Sequence, residues 1–247
     1  MSLLKLTPSV SDIIVRPIGI LHSCYPEKFG IPRQPGLVKS STARLHMLEP
    51  FNRLEMFNGL ERFSHIWLHF LFHETVAEGW KRTIRPPLLG GREKVGIFAS
   101  RSPHRPNHLG LSAVRLVKIG REGKQVFLDL AEIDILDLTP VIDIKPYIPY
   151  SDRVDDAGDG YTKPSEGPAV AVVFSREAMD FCSCYTSRTG RNLQDLISET
   201  LTCDPRPASH RPGTGEYGML FWDVNVRWQA QKGVFQVLGC DMHDADG

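Results

Sequence analysis

The chain has 247 residues, of which 41% are hydrophobic and 23% are charged, a composition that excludes a disordered or fibrous protein. Its 29 basic and 29 acidic residues give a net charge of zero, which excludes general electrostatic attraction to nucleic acid or anionic membranes. No segment approaches the ~20 apolar residues of a membrane span, and the N-terminus lacks the pattern of a signal peptide. We therefore expect a cytoplasmic protein.

The cysteines and histidines do not have the spacing of a metal site. The five cysteines are odd in number and scattered: Cys24, Cys182, Cys184, Cys203 and Cys240. His65, His69 and His73 would share one face of a strand, but no carboxylate lies on that face, and Ala77 replaces the second histidine of an H-E-x-x-H motif. We expect reduced structural thiols and no metal, with a zinc or disulfide role as the alternative.

The first 150 residues contain short apolar or alternating segments that are separated by Gly, Pro and Asn. Seven of these segments predict strands: Ile13 to Leu21, Ala43 to Leu48, His65 to His73, Val95 to Ala99, Leu111 to Ile119, Val126 to Ile133 and Val141 to Ile144. The one expected helix is short, from Arg53 to Leu60, so the strands do not alternate with the long helices of a parallel sheet. Residues 1–150 therefore predict an antiparallel β-barrel domain in a mainly β protein.

The remainder of the chain predicts a linker and a small α+β domain. Residues 151–168 are rich in Gly, Pro, Asp and Ser, as in a linker or an exposed loop. Residues 169–247 predict five elements: a strand from Ala169 to Phe174, a helix after the N-cap Ser175, a helix after the N-cap Asn192, an alternating strand from Leu220 to Trp228, and a returning strand from Val234 to Leu238.

The zero net charge conceals two oppositely charged segments. Residues 76–118 carry nine basic residues against two acids, a net charge of +7, whereas residues 129–159 carry nine acids against two basic residues, a net charge of −7. A basic segment of this size could contact several phosphates, each of which adds salt-dependent affinity. The alternative is a solvated basic face without a partner.

Five segments combine turn-forming residues with polar side chains that could bind a ligand. Residues 29–36 hold Arg33 and Gln34 between two prolines, and His73 and Glu74 end an apolar strand. The loop of residues 99–112 carries Arg101, His104, Arg105, Asn107 and His108, which could contact phosphates or base edges. Residues 133–152 carry Asp134, Asp137, Asp143, Lys145 and Tyr147, and residues 203–209 carry Asp204 and Arg206. Residues 29–36 could instead be a structural turn, and residues 99–112 a cationic turn on the surface.

Six motifs in chain order carry a family resemblance over almost the whole chain: PRQPGLVKS, GLERFSHIW, RPPLLGG, RSPHRPNHLGLS, TPVIDIKPYIP and DPRPA. Together they closely resemble the TrmO family, the bacterial tRNA (N6-threonylcarbamoyladenosine(37)-N6)-methyltransferases. The resemblance implies a β-barrel domain with a small C-terminal α+β domain. It also implies a homodimeric enzyme that uses S-adenosyl-L-methionine to methylate N6 of threonylcarbamoyladenosine (t6A) at position 37 of threonine tRNA, giving m6t6A in the anticodon loop.

The resemblance also implies roles for particular residues. Contacts to the cofactor would come from Pro32, Arg33, Gln34, His73, Glu74, Arg101, Leu111, Asp134, Ile135, Leu136 and Asp137. Contacts to the substrate would come from Arg105, Asn107, Lys145, Tyr147, Asp204 and Arg206. By their chemistry, Asp143 and His104 are the candidates to take the N6 proton.

Two positions depart from the family pattern. Leu138 stands where the family usually has glycine, so a positive φ is less accessible there, and Ser209 stands where the family often has tyrosine. Two other functions stay open: a non-catalytic RNA-binding barrel, and a methyltransferase that acts on another substrate.

Overall fold

A computed structural model describes residues 13–162, 170–207, 213–231 and 233–243. Ser209, Lys232 and residues 163–169 lie outside the described residues. Residues 163–169 include most of the second half of the expected linker and Ala169, the first residue of a predicted strand. No helix in the described part of the chain is long and apolar enough to cross a membrane.

Six strands close into an antiparallel barrel, as predicted. Their order around the barrel is β1, β2, β7, β6, β3 and β8. The strands are β1 (Gly19–Ser23), β2 (Thr42–Met47), β3 (His65–Leu71), β6 (Leu109–Glu122), β7 (Gln125–Ala131) and β8 (Thr139–Pro146). Two further strands, β4 (Thr83–Ile84) and β5 (Val95–Gly96), form a small separate sheet before β6.

The strands of the barrel alternate between an apolar inner face and a more polar outer face, so the core lies inside the barrel. On β3, Ile66, Leu68 and Phe70 are buried, whereas the residues between them are half-buried. Gly110 on β6 lies opposite Phe70, and a Cβ atom there would come within 2.4 Å of the Phe70 ring. Glycine at this position therefore lets the two strands approach closely around a large inward ring.

The C-terminal region forms a four-stranded sheet that is covered by two helices. Its elements are β9 (Ala171–Phe174), α2 (Arg176–Thr189), α3 (Leu193–Thr202), β10 (Gly215–Phe221), β11 (Val224–Gln231) and β12 (Val234–Met242), after a short helix α1 (Pro149–Asp152). The sheet order is β10, β11, β12 and β9, with β9 parallel to β12. The predicted N-caps are confirmed, because the side chains of Ser175 and Asn192 accept hydrogen bonds from backbone N–H groups of the first turns.

The loop between β1 and β2 packs against the C-terminal sheet. The Tyr25 and Phe221 rings lie 5.9 Å apart, and the backbone N–H of Trp222 donates to the Cys24 carbonyl at 3.1 Å. Glu199 on α3 accepts hydrogen bonds from both the backbone N–H and the hydroxyl of Ser40, each at 2.8 Å. These contacts hold the loop that carries Pro32, Arg33 and Gln34 between the barrel and the second sheet.

Several predicted elements differ from the structure. The first strand begins at Gly19 rather than Ile13. The helix predicted from Arg53 to Leu60 is wrong, because two separate 3₁₀ turns flank Gly59, which has a φ of 90°. The strand predicted from Val95 to Ala99 has only two residues before a 3₁₀ turn over Ile97–Ala99.

The single strand predicted from Leu220 to Trp228 is also wrong. A two-residue turn at Trp222 and Asp223 joins β10 to β11, with Phe221 paired to Val224. Trp222 has a φ of 52°, so an aromatic side chain that resembled a core position lies in the turn. The turn shifts the alternation by one residue, and Met219 and Phe221 are buried in place of Leu220 and Trp222.

Candidate active site

One end of the barrel is crossed by the segment between β7 and β8. The Asp134 carboxylate accepts a hydrogen bond from the Ser112 hydroxyl on β6 at 2.6 Å. The Asp137 carboxylate accepts one from the backbone N–H of Ser23 on β1 at 2.7 Å. Two carboxylates of the predicted cofactor run are thus fixed by strands on different sides of the barrel.

The Asp134 carboxyl lies in an unusual environment for an acidic group. Burial raises the pKa of its carboxyl from 3.8 to about 6, while the Ser112 hydroxyl and the charge of Arg101 act in the opposite direction. A carboxyl with such a pKa can exchange a proton near neutral pH. The electrostatic influence of Arg101 also indicates that the loop of residues 99–112 lies near this carboxylate.

His73 and Glu74 meet the same segment from the end of β3. The Thr139 hydroxyl donates to the Leu136 carbonyl at 2.7 Å and lies 3.5 Å from His73 Nδ1. His73 Nε2 in turn lies 3.7 Å from a Glu74 carboxylate oxygen. Residues from two separate sequence motifs therefore come together at this end of the barrel.

The loop of residues 99–109 is held rigidly by its own polar groups. The Ser100 hydroxyl donates to the Ile97 carbonyl at 2.8 Å, and His108 Nδ1 lies within hydrogen-bond distance of both the Pro103 carbonyl and the Thr75 hydroxyl. Asn107 and His108 have φ values of 67° and 50°, which is an unfavourable conformation for residues with a Cβ. Strained backbone of this kind concentrates at functional sites.

A cleft of about 1180 Å³ opens beside this loop. Among its lining residues are Arg33, Gln34, Lys81, Arg85, Lys94, Phe98, Arg101, His104 and Tyr161. The Arg101 guanidinium donates a hydrogen bond to the Gln34 side-chain oxygen, which joins two predicted cofactor residues at the wall of the cleft. No Asp or Glu is found among the described residues of the lining, so the cleft is strongly basic.

His104 lies in the wall of the cleft and carries one buried ring nitrogen. Its Nε2 lies 3.4 Å from Lys81 Nζ and 3.7 Å from a Glu78 carboxylate oxygen. Its Nδ1 is buried and has no hydrogen-bond partner within the described residues. This buried nitrogen costs free energy, because no hydrogen bond within the described residues offsets its loss of hydration.

Four predicted residues lie on the outer face of the barrel and do not line the cleft. Asp143 and Leu111 both pair in register with His69, from β8 and β6 respectively. Lys145 pairs with Trp67, and the Tyr147 ring lies 5.4 Å from the Trp67 ring. His104 thus lines the cleft and Asp143 does not, and the roles of these four residues stay predictions.

Asp204 and Arg206 lie in the C-terminal region and interact with each other. The Arg206 guanidinium donates to both Asp204 carboxylate oxygens, at 2.8 and 3.1 Å, and to the Gly213 carbonyl at 3.0 Å. It also lies over the Phe235 ring, 4.7 Å from the centroid, and Arg206 is 7% exposed. These contacts stabilise the fold, and a substrate role for this pair stays a prediction.

The basic segment contributes to the cleft only in part. Lys81, Arg85, Lys94 and Arg101 line it, but Arg115 pairs with Glu132 at 2.6 Å on β6. Of the two remaining site predictions in the loop, Arg105 donates to the Ser100 carbonyl and Asn107 is exposed. The sequence motifs assigned no role to Phe98 or Tyr161. Tyr161 reaches the cleft from a distant part of the chain, and its hydroxyl donates to the Ala99 carbonyl at 2.6 Å.

No group of three His, Cys, Asp or Glu side chains that could hold a metal ion occurs in the described ranges. The five cysteines are free thiols. Burial raises the pKa of the Cys24 thiol to about 12 and so keeps it protonated.

Comparison with known families identifies two adjoining matches. The family model for the tRNA-methyltransferase O N-terminal domain matches residues 20–153, and the model for the TrmO C-terminal domain matches residues 167–243. Together they span most of the chain.

Individual relatives agree with this result. The chain is 42% identical over 227 residues to the tRNA (adenine(37)-N6)-methyltransferase of Escherichia coli K12, covering 91% of this chain and 96% of the relative. It is 44% identical over 215 residues to a Pseudomonas aeruginosa protein named "Putative S-adenosylmethionine-dependent methyltransferase RcsF", covering 87% and 91% of the two chains. The crystal structure of TrmO from Pseudomonas aeruginosa superimposes with a TM-score of 0.74 at 37% identity, covering 93% and 99%.

Proposed function

The chain belongs to the TrmO family, and on that premise we propose that it is an enzyme that transfers a methyl group from S-adenosyl-L-methionine to N6 of adenine 37 in tRNA. The Escherichia coli relative carries this activity in its name, and the match covers nearly the full length of both chains. One structural observation best supports the proposal: a basic cleft lies beside the end of the barrel that carries Asp134 and Asp137. The cleft offers a site for an anionic RNA, and the adjoining carboxylates offer a site for a cationic cofactor.

The groups at the barrel end fit the cofactor. S-adenosyl-L-methionine carries a carboxylate, an ammonium, a ribose diol and a sulfonium, and it supplies an electrophilic methyl group. The guanidinium groups of Arg33 and Arg101 suit its carboxylate, while the carboxylates of Asp134 and Asp137 suit the ammonium, the hydroxyls and the positive sulfur.

Catalysis by these residues would consist mainly of positioning. The rigid loop of residues 99–109 and the Arg101–Gln34 hydrogen bond would hold the adenine N6 in line with the methyl carbon, which lowers the entropic part of the barrier. N6 must also lose a proton. His104 in the cleft wall is better supported as the acceptor than Asp143, which lies on the outer face of β8.

We further propose that the adenine carries a threonylcarbamoyl group, that the RNA is threonine tRNA and that the product is m6t6A. The threonyl carboxylate is an anion, and three basic side chains besides those matched to the cofactor line the cleft: Lys81, Arg85 and Lys94. The anticodon loop is single-stranded, so the enzyme need not open a duplex to reach this base.

A homodimer in the cytoplasm completes the proposal. Two neighbouring apolar side chains on the outer face of β6 are substantially exposed, Leu109 at 43% and Leu111 at 49%. Apolar surface of this kind supports contact with a second copy. Sedimentation of the purified chain that gives a monomer at all concentrations would contradict this part of the proposal.

Mass spectrometry of nucleosides tests the reaction directly. Purified enzyme and S-adenosyl-L-methionine should convert t6A to m6t6A in tRNA taken from cells that lack the gene. A chain that binds this tRNA, but whose melting temperature the cofactor does not raise, would instead be an RNA-binding barrel. Methylation of a different nucleoside would retain the enzyme class and remove the t6A assignment.

A further inference from the structure

Phe98 is an exposed aromatic side chain in the wall of the basic cleft. Its exposed fraction is 80%, whereas its neighbour Ile97 is 4% exposed. Single exposed apolar residues are common on protein surfaces and need no explanation by themselves. The position of Phe98 inside a cleft that also holds the cationic side chains sets it apart.

The backbone on both sides of Phe98 is fixed. The Ile97 N–H donates to the Arg82 carbonyl at 3.0 Å, and the Ile97 carbonyl accepts from both the N–H and the hydroxyl of Ser100. The Ala99 carbonyl accepts a hydrogen bond from the Tyr161 hydroxyl at 2.6 Å. The ring is therefore presented by a rigid turn, so binding to it costs little conformational entropy.

The surroundings of the ring define the chemistry of its partner. Lys81, Arg85 and Lys94 line the same cleft as Phe98, and no carboxylate lies in the described part of the lining. Glu78 lies 3.8 Å from Lys81, at the edge of this set. Cationic side chains can bind phosphates, and an exposed aromatic ring can stack on a base. Single-stranded nucleic acid carries both groups, so it is the partner that these residues fit.

We propose that Phe98 is a stacking platform for a nucleobase of the anticodon loop next to adenine 37, while Lys81, Arg85 and Lys94 hold the phosphates of the loop. This inference rests on the proposed function, since it takes the cleft as the tRNA site. It assigns recognition of the RNA to a side chain outside the predicted cofactor and catalytic residues. Because every base has an aromatic face, the contact would raise affinity without selecting a particular neighbour.

The test compares three substitutions at this position with one elsewhere. Phe98→Ala and Phe98→Leu remove the ring, Phe98→Trp keeps an aromatic face, and Tyr150→Ala removes an aromatic side chain that is 92% exposed outside the cleft. Binding of a labelled anticodon stem-loop should weaken about tenfold in the Ala and Leu variants and stay near wild type in the Trp and Tyr150 variants. Affinity for S-adenosyl-L-methionine and the melting temperature should be unchanged in all four.

A stem-loop with 2-aminopurine beside adenine 37 reports stacking itself. Wild type and Phe98→Trp should quench its fluorescence, and Phe98→Leu should not. Equal binding and quenching by wild type and Phe98→Leu would overturn the proposal. A change of oligomeric state in the Phe98 variants would also overturn it, because the ring would then contact a second copy of the chain rather than a base. Wild-type methylation of the same stem-loop is measured in parallel, so failure of the proposed function is distinguishable from failure of the stacking contact.

Discussion

The end of the barrel and the C-terminal sheet are built on opposite principles. Four of the six described non-glycine residues with positive φ belong to the barrel half: Asn107, His108, Glu132 and Leu138. These residues lie in or beside the loops that carry the candidate site, where side chains bond to backbone groups. The C-terminal sheet instead buries a stacked aromatic group in which Trp228 lies 4.7 Å from Tyr217 and 5.0 Å from Phe235.

The contrast shows that the interactions in the two regions serve different purposes. Loops that hold ligands need fixed polar groups and tolerate strained backbone, whereas the second sheet supplies apolar burial that stabilises the whole chain. The loop between β1 and β2 connects the two, because Tyr25 packs on Phe221 at one end and Gln34 bonds to Arg101 at the other. Variants in the two regions should therefore affect different measurements.

The largest expected effect is on stability, in the C-terminal sheet. Trp228 is fully buried, so Trp228→Ala should lower the free energy of unfolding by about 3 to 5 kcal/mol through the cavity it leaves. Chemical denaturation measures this change. Arg85→Ala, in the basic cleft, should leave stability within about 0.5 kcal/mol of wild type. A comparable loss in both variants would remove the contrast between the regions.

The second prediction concerns Asp134 and pH. Burial raises the pKa of this carboxyl to about 6 in the folded chain, so its proton binds more tightly in the folded than in the unfolded state. The stability it contributes is present below about pH 4 and is lost as the pH rises through about 6. Relative to Asp134→Asn, wild type should lose about 2 to 3 kcal/mol of unfolding free energy between those limits.

Urea denaturation of both proteins at several pH values measures this difference. The exposed residue Asp156 provides a control, since Asp156→Asn should parallel wild type throughout. Parallel curves for wild type and Asp134→Asn would show that the Asp134 carboxyl is not held in a desolvated site.

The third prediction concerns cofactor binding. Arg101→Ala removes the hydrogen bond to Gln34 and the charge near Asp134, and it should weaken the affinity for S-adenosyl-L-methionine about tenfold or more in calorimetry. Arg92→Ala changes an exposed arginine of the same basic segment that does not line the cleft, and it should bind the cofactor like wild type. Equal losses in both variants would attribute the effect to net charge rather than to position.

Much of the fold could be predicted from the sequence because local rules dominate there. Alternating residues located most barrel strands, and the caps Ser175 and Asn192 located both long helices. Trp222 misled the prediction because periodicity cannot distinguish one long strand from two strands joined by a tight turn that contains an aromatic residue. Gly59 interrupts the predicted helix because its φ of 90° is not helical, and hydrophobic periodicity does not indicate the φ of a single residue.

The candidate site was harder to predict because it depends on side-chain direction. The motifs identified Arg33, Gln34 and Arg101, which line the cleft together. The same motifs could not show that Asp143 lies on the outer face of β8. They also could not show that the Arg206 guanidinium forms an ion pair with Asp204. Burial of Asp134 also escaped prediction, since it depends on how the segment after β7 crosses the end of the barrel.

The smallest expected effect is at Leu138, where the chain departs from the glycine usual in its family. The sequence suggested that a positive φ would be costly here, and the structure has a φ of 60° at this residue. Leu138→Gly should therefore stabilise the chain by up to about 1 kcal/mol, because glycine adopts this conformation without the steric penalty of a Cβ atom. Since the side chain is 56% exposed, little burial is lost with it.

Leu138→Ala separates the backbone term from the side-chain term. Alanine removes the same exposed leucine atoms but keeps the Cβ, so the Leu138→Ala variant should be no more stable than wild type. The difference in denaturant midpoint between the Gly and Ala variants reports the cost of the positive φ. Leu37→Gly, at another exposed leucine whose φ is not positive, should destabilise instead. If Leu138→Gly also weakens cofactor binding, the restricted backbone of Leu138 helps to keep the Asp137 carboxylate on the Ser23 N–H group. Leucine at this position would then lower the stability of the fold but order the cofactor site better than glycine does.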